Sequence, residues 1–278
     1  MSSDLPPIAD LVVANARCVA TVDAERRELD GGWVAITDGL ISDIGAGPAP
    51  RAAAVLDATD CLVTPGLVNA HHHLYQNLTR AFPPMTDKPL FGWLQSLYPL
   101  WRGLDTESVH VSAWVGLAEL ALAGCTTSTD HLYLHPHGAG DLLTAEIDAA
   151  RDLGVRFHPT RGSMSLSEKD GGLPPDDVVA DDDEILAACD DAVHRHHDRS
   201  FGAMTRIALA PCSPFSVTVR RPSTNTGATG SSPVPGRLMP MLACLLSPGP
   251  LTTQPITATF IDSTPGNCCR HWGICWRR

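Results

Sequence analysis

Residues 61–73 read Cys61-Leu-Val-Thr-Pro-Gly-Leu-Val-Asn-Ala-His-His-His73, an apolar run that ends in three consecutive histidines. The run predicts a buried strand with the histidines at its carboxyl end. Side chains two residues apart in a strand point to the same side, so His71 and His73 can reach one metal ion while His72 points elsewhere. Neutral imidazoles suit zinc or iron. We therefore predict a divalent-metal site here, with zinc expected and iron as the alternative.

Strands and helices alternate downstream of the histidines, as in a parallel sheet built from βα units. Asp105 and Gly124 bracket an apolar helical pattern as start and stop signals. The expected fold class is α/β, a partial (β/α)8 TIM-type barrel of about four βα units, whose site would lie at the carboxyl ends of the strands. The predicted strands cover residues 61–69, 125–130, 155–160 and 207–210, and the predicted helices cover 106–123, 141–153 and 182–197.

The sequence predicts three regions. Residues 1–60 form a small β-rich flanking domain, in which Asp38-Gly39 is a strong hairpin signal. Residues 61–218 form the amino-terminal half of the barrel. Residues 219–278 form an irregular tail.

The tail differs from the rest of the chain in composition. After residue 219 there is one acidic residue, Asp262, with no glutamate or lysine, and all six basic residues are arginines. A flexible Pro-rich linker is one interpretation, and a metal site around Cys268 and His271 is another, although its spacing matches no structural zinc pattern. We favour a third, translation out of the ancestral reading frame. Resequencing the coding DNA and reading the other two frames tests it.

Bulk composition excludes several classes of protein. The chain has 278 residues, 44% hydrophobic, with a formal net charge of −11. This composition allows a sizeable core and argues against nucleic acid or an anionic membrane as a partner. We recognise neither a signal peptide nor a membrane-spanning run, and the cysteines form no C-x-x-C pair. We therefore expect a cytoplasmic protein with free thiols.

The histidine motif and three further stretches resemble the amidohydrolase superfamily, whose first barrel strand carries a His-x-His metal pair. Residues 118–131, Ala-Glu-Leu-Ala-Leu-Ala-Gly-Cys-Thr-Thr-Ser-Thr-Asp-His, are similar to strand two of its cytosine, guanine and triazine aminohydrolase branch. Residues 161–176 and 210–216 most resemble 8-oxoguanine deaminases. The resemblance covers residues 8–218.

The resemblance implies metal-assisted hydrolysis of an exocyclic amine. A metal-bound water becomes hydroxide near neutral pH, attacks the ring carbon, and a glutamate moves the protons as ammonia leaves. By the same resemblance, that glutamate and the remaining metal ligands come from strands beyond the fourth. The chain therefore offers His71 and His73 as ligands and no catalytic general acid. The implied substrate is a small heteroaromatic, with 8-oxoguanine the first choice among guanine, cytosine, triazines and adenosine derivatives.

Three residues are candidates for substrate contact. Gln76 could hydrogen-bond a purine edge or be an ordinary surface residue. Arg161, at the end of the third strand, could bind a ring carbonyl or form an ion pair. Trp93 could stack on the ring or simply cover the barrel mouth. Asp130 and His131 are expected to support the site wall rather than do chemistry.

Two hypotheses compete with an active enzyme. One is a non-catalytic half-barrel remnant, because a barrel cut after four strands exposes unpaired edges and apolar faces. The other is a fragment that self-associates as a homo-oligomer or binds an intact relative. Ammonia release separates the enzyme from both, and a size measurement separates the two.

Overall fold

The computed structural model describes residues 8–213, 215–217 and 258–262, and its strands form two separate sheets. The strands are β1 (Ala9–Ala20), β2 (Glu28–Thr37), β3 (Leu40–Ala46), β4 (Ala52–Asp57), β5 (Cys61–Pro65), β6 (Leu67–Asn69), β7 (Cys125–Leu132), β8 (Arg156–Ser163), β9 (Ala208–Pro211) and β10 (Ala258–Asp262). The α-helices are α1 (Leu90–Trp101), α2 (Thr106–Leu122), α3 (Leu142–Leu153) and α4 (Asp182–His196).

The first sheet forms the flanking region at the amino-terminal end of the chain. Strand β1 lies at its centre, antiparallel to β2 and parallel to β4 and β5. The predicted β2–β3 hairpin is confirmed, with φ of 52° at Asp38 and 73° at Gly39. Positive φ at both central residues matches the right-handed twist of the strands they join. Val13, Val34 and Val63 are buried in the core of this sheet.

The second sheet is the partial barrel predicted from the sequence. Its strand order is β6-β7-β8-β9, and every neighbouring pair is parallel. Consecutive strands are therefore neighbours in space, with α2, α3 and α4 in the connections between them. The core beneath the helices includes Leu117, Leu132, Ile147 and Phe157, each at most 2% exposed. None of the helices in the described ranges is long and apolar enough to cross a membrane.

The single strand expected over residues 61–69 is two strands that belong to different sheets. Strand β5 pairs with β1, whereas β6 pairs with β7, and Gly66 separates them. A Cβ atom built on Gly66 would lie 2.7 Å from the Cβ of Thr126 and closer still to its Oγ1 and Cγ2. Glycine is therefore required where the chain passes from one sheet to the other.

Helix α1 is not among the helices predicted from the sequence. The helix contains Pro99 and has no side-chain cap, so the usual start and continuation signals are missing. Leu97, Tyr98 and Trp101 are buried, which indicates that tertiary packing stabilises it.

The other helix ends follow the sequence signals. Asp105 and Ser108 form a reciprocal capping box at the start of α2. Asp141 caps α3, and Gly154 ends it in the left-handed conformation, at φ of 71°. Of the tail predicted from residue 219 onward, the structure describes strand β10, which pairs antiparallel with β5. The remaining tail residues lie outside the described ranges.

Candidate metal centre and substrate pocket

His71 and His73 come together just beyond the carboxyl end of β6. Their ring centroids are 5.0 Å apart and the ring planes are perpendicular. The Nδ1 atom of His73 lies 3.0 Å from the main-chain carbonyl oxygen of His131. If Nδ1–H donates this hydrogen bond, Nε2 keeps its lone pair, which is the usual arrangement around a metal-binding histidine. Burial lowers the pKa of His73 to about 4, so the ring is neutral at neutral pH.

Asp130, two residues before the end of β7, contacts the segment that carries the histidines. Its Oδ1 atom accepts a hydrogen bond of 2.6 Å from the main-chain amide of Leu74, the residue after His73. The Nδ1 atom of His72 lies 4.0 Å from the same oxygen. On the other side, the hydroxyl of Ser112 in α2 donates to the carbonyl oxygen of Leu74 at 2.6 Å. The main-chain N–H and C=O of Leu74, the residue after His73, are thus both held by side chains.

The histidines face a cavity of about 480 Å³, a volume suited to a small heteroaromatic ligand. Gln76 and Trp93 are both in its wall. The amide nitrogen of Gln76 lies 3.3 Å from the hydroxyl oxygen of Tyr75, and the ring of Trp93 packs edge-on against Trp101. The other lining residues, which the sequence did not single out, are Asn77, Thr79, Arg80, Ala81, Phe82, Met85 and Thr86.

Arg161 does not line this cavity. Its guanidinium donates to the main-chain carbonyl of Gly162, and its electrostatic neighbours are Cys189 of α4 and Asp141 at the start of α3. Burial lowers the pKa of Arg161. Its predicted contact with substrate stays a prediction.

The residues present fit part of a metal site. Imidazoles are appropriate zinc ligands, and a hydrogen bond donated by Nδ1–H leaves Nε2 available for the metal. Over the described ranges, however, no group of three or more histidine, cysteine, aspartate or glutamate side chains could hold a metal ion. The ring of His131 is 5.6 Å from that of His73, but its Nε2 atom is 3.3 Å from the carbonyl oxygen of Ala210. Over the described ranges, His71 and His73 are therefore the candidate ligands, as the sequence predicted.

Sequence analysis missed Glu146, which lies on α3 and is fully buried. A signal was present, because Glu146 falls within the apolar stripe that Leu142 and Ala149 define at helical spacing. A carboxyl group on a core-facing stripe indicates a buried partner.

A model of the amidohydrolase family matches residues 62–220, and the chain belongs to that family.

Among curated proteins, the chain is 50% identical over 190 residues to the 8-oxoguanine deaminase of Pseudomonas aeruginosa, an alignment that covers 67% of this chain and 42% of the relative. It is 35% identical over 211 residues to the hydroxydechloroatrazine ethylaminohydrolase of Pseudomonas sp. strain ADP, covering 70% of this chain and 44% of that enzyme. The chain therefore spans less than half the length of these relatives.

A solved structure extends the likeness to the fold. The atrazine chlorohydrolase of Arthrobacter aurescens TC1, crystallised with zinc, matches with a TM-score of 0.72 and 29% identity. The match covers 75% of this chain and 48% of that one.

Proposed function

We propose that the protein derives from a metal-dependent aminohydrolase acting on a purine-like heteroaromatic, with 8-oxoguanine as substrate. The reaction replaces the exocyclic amine with oxygen from water and gives urate and ammonia. One observation carries the proposal. The histidine pair, Gln76 and Trp93 share one cavity in a chain that is half identical, over its aligned part, to an 8-oxoguanine deaminase.

The residues around the cavity suggest a division of roles. His71 and His73 would hold a divalent metal, zinc first, which supplies hydroxide near neutral pH when bound. Gln76 offers an amide that can both donate to and accept from a purine edge. Trp93 offers a ring face for stacking, with its orientation supported by Trp101.

We propose further that this chain, on its own, does not turn over substrate. The two imidazoles of the described site give a weak metal site, because affinity depends on the number and preset geometry of the ligands. The general-acid glutamate of the family is, by resemblance, on a later strand. The half-barrel also exposes Leu67 and Val68 of β6, at 58% and 68%. Their exposure supports the interpretation that the half-barrel is non-catalytic or self-associates.

Binding and turnover should therefore be measured separately. The full chain with zinc is titrated with 8-oxoguanine, guanine, cytosine and a triazine, and ammonia is assayed in parallel. We expect 8-oxoguanine to bind best and Gln76→Leu to weaken it about tenfold, since one lost hydrogen bond leaves a polar group unpaired. The matched control is Gln95→Leu in the exposed part of α1. Tighter binding of cytosine or a triazine overturns the substrate assignment, and ammonia release that depends on His71 and His73 overturns the proposed inactivity.

A further inference from the structure

The wall of the cavity beside the histidines includes a guanidinium, that of Arg80. Over the described residues, no aspartate or glutamate lines this cavity. Its polar side chains other than the histidines and Arg80 are uncharged, namely Gln76, Asn77, Thr79 and Thr86. An arginine keeps its charge across the physiological pH range. The described wall therefore attracts a negatively charged ligand and contains no carboxylate that would repel one.

Glu119 of α2 fixes the position of this charge. Nη1 of Arg80 donates to both carboxylate oxygens of Glu119, at distances of 2.9 and 3.2 Å. The two side chains are 54% and 56% exposed, so water screens the ion pair and its contribution to stability is small. Its main consequence is geometric, because it ties a residue of the cavity wall to a helix that covers the barrel sheet.

The ion pair leaves other donors of Arg80 available. A guanidinium carries five N–H groups, and Nη1 supplies two of them. Over the described ranges, Nε and Nη2 of Arg80 have no hydrogen-bond partner in the protein. These N–H groups lie in one plane, a geometry that suits an ionised ring edge or a ring oxygen.

The backbone next to Arg80 turns sharply. Ala81 has φ of 56°, a left-handed conformation that is uncommon for a residue other than glycine. The amide of Phe82 donates to the carbonyl oxygen of Thr79 at 3.2 Å and closes the turn. Arg80 and Phe82 consequently both line the cavity.

The apolar part of the wall suits the faces of a planar ring. Phe82, Met85 and Trp93 line the cavity along with the polar side chains. Aromatic faces stack on planar heterocycles, whereas the edge of such a ring carries its polar and charged atoms. A flat ring with an anionic edge therefore matches both the apolar wall and the guanidinium.

We propose that Arg80 recognises negative charge on the ligand, and that the cavity prefers an anionic oxopurine to a neutral one of similar size. Urate is such an anion at neutral pH and is the product of the reaction proposed above, so the choice of ligand rests on the proposed function. A site with this charge retains the ionised product.

A calorimetric titration of the full chain compares urate with hypoxanthine, a neutral oxopurine. A chelator is present, because a bound metal ion would itself attract the anion. We expect urate to bind about tenfold more tightly, the scale of one hydrogen bond to a charged group. Arg80→Met keeps the aliphatic stem and should weaken urate about tenfold while changing hypoxanthine by less than about threefold.

Arg102→Met is the matched control. Arg102 is 55% exposed and pairs with Asp177 at 3.1 Å, as Arg80 does with Glu119, but it does not line the cavity. This variant should leave the affinities for both ligands unchanged.

Three results overturn the proposal: no binding of urate, equal binding of urate and hypoxanthine, or equal losses for both ligands in Arg80→Met. Arg80→Lys keeps the test decisive if Arg80→Met does not fold. Lysine retains the charge, so this variant should still prefer urate, and a folded Arg80→Lys chain without that preference contradicts the role of the charge. No step of the experiment depends on turnover. Failure of the proposed reaction would leave the preference for urate intact, whereas equal binding would overturn this inference and leave ammonia release unaffected.

Discussion

Replacing Gly66 with alanine tests whether a side chain can be accommodated at the residue that joins β5 of the first sheet to β6 of the second. The added methyl would lie 2.7 Å from the Cβ of Thr126. Carbon atoms normally pack about 3.5–4.0 Å apart, so β6 must move away from β7 by roughly 1 Å. Gly66 does not have the positive φ that would itself disfavour alanine, so the cost comes from crowding. Overpacking typically lowers the free energy of unfolding by about 1–3 kcal/mol. We expect a loss in the upper half of this range, because Thr126 is buried in a strand.

The thermal midpoint of the full chain should fall by about 4–12 °C in Gly66→Ala, at roughly 2–4 °C per kcal/mol for a domain of this size. Gly92→Ala is the matched control, because its added Cβ would contact nothing closer than 3.9 Å and alanine favours the helix. Combining Gly66→Ala with Thr126→Gly should recover part of the loss, as expected for residues in contact. A midpoint within about 1 °C of the unaltered chain for Gly66→Ala alone would refute the crowding argument.

Three further predictions follow from capping, burial and the exposed edge. Asp105→Ala removes the capping box of α2 and should lower the free energy of unfolding by about 1 kcal/mol in denaturant titrations. Burial lowers the pKa of His135 to about 3, so the folded state binds fewer protons than the unfolded state below about pH 6.5 and loses stability as pH falls through that window. The free energy of unfolding of His135→Leu, measured by denaturant titration, should therefore fall less steeply as pH drops below about 6.5. A slope equal to that of the unaltered chain would contradict the prediction. Val68→Lys adds a charge to the exposed edge of β6 and should reduce self-association in sedimentation experiments, whereas Asp105→Ala should not.

Local signals in the sequence predicted much of the fold. Asp38-Gly39, Asp105 and Gly124 each act within a few residues, through turn geometry or helix capping, and each was recognised from the sequence. The failures involve tertiary contacts. The break at Gly66 depends on Thr126, sixty residues away in sequence, and α1 is stabilised by burial rather than by its own propensity.

The site shows the same division between local and long-range information. Spacing along one segment predicted the His71–His73 pair, and their rings lie together in the structure. Arg161 was chosen because it follows a predicted strand; it does not line the cavity, and its contact with substrate stays a prediction. Glu146 is far from the histidines in sequence, and its burial depends on the packing of α3 against α2 and β8.

Zinc binding by the histidine segment tests the central claim most directly. Zinc is titrated into the full chain in competition with a chromophoric chelator, and the titration is repeated with His71→Ala, His73→Ala and His72→Ala. We predict that loss of His71 or His73 weakens zinc binding by about tenfold or more, whereas loss of His72 has a much smaller effect. Equal zinc affinity in all three variants would contradict the assignment of His71 and His73 as the metal ligands of this half-barrel.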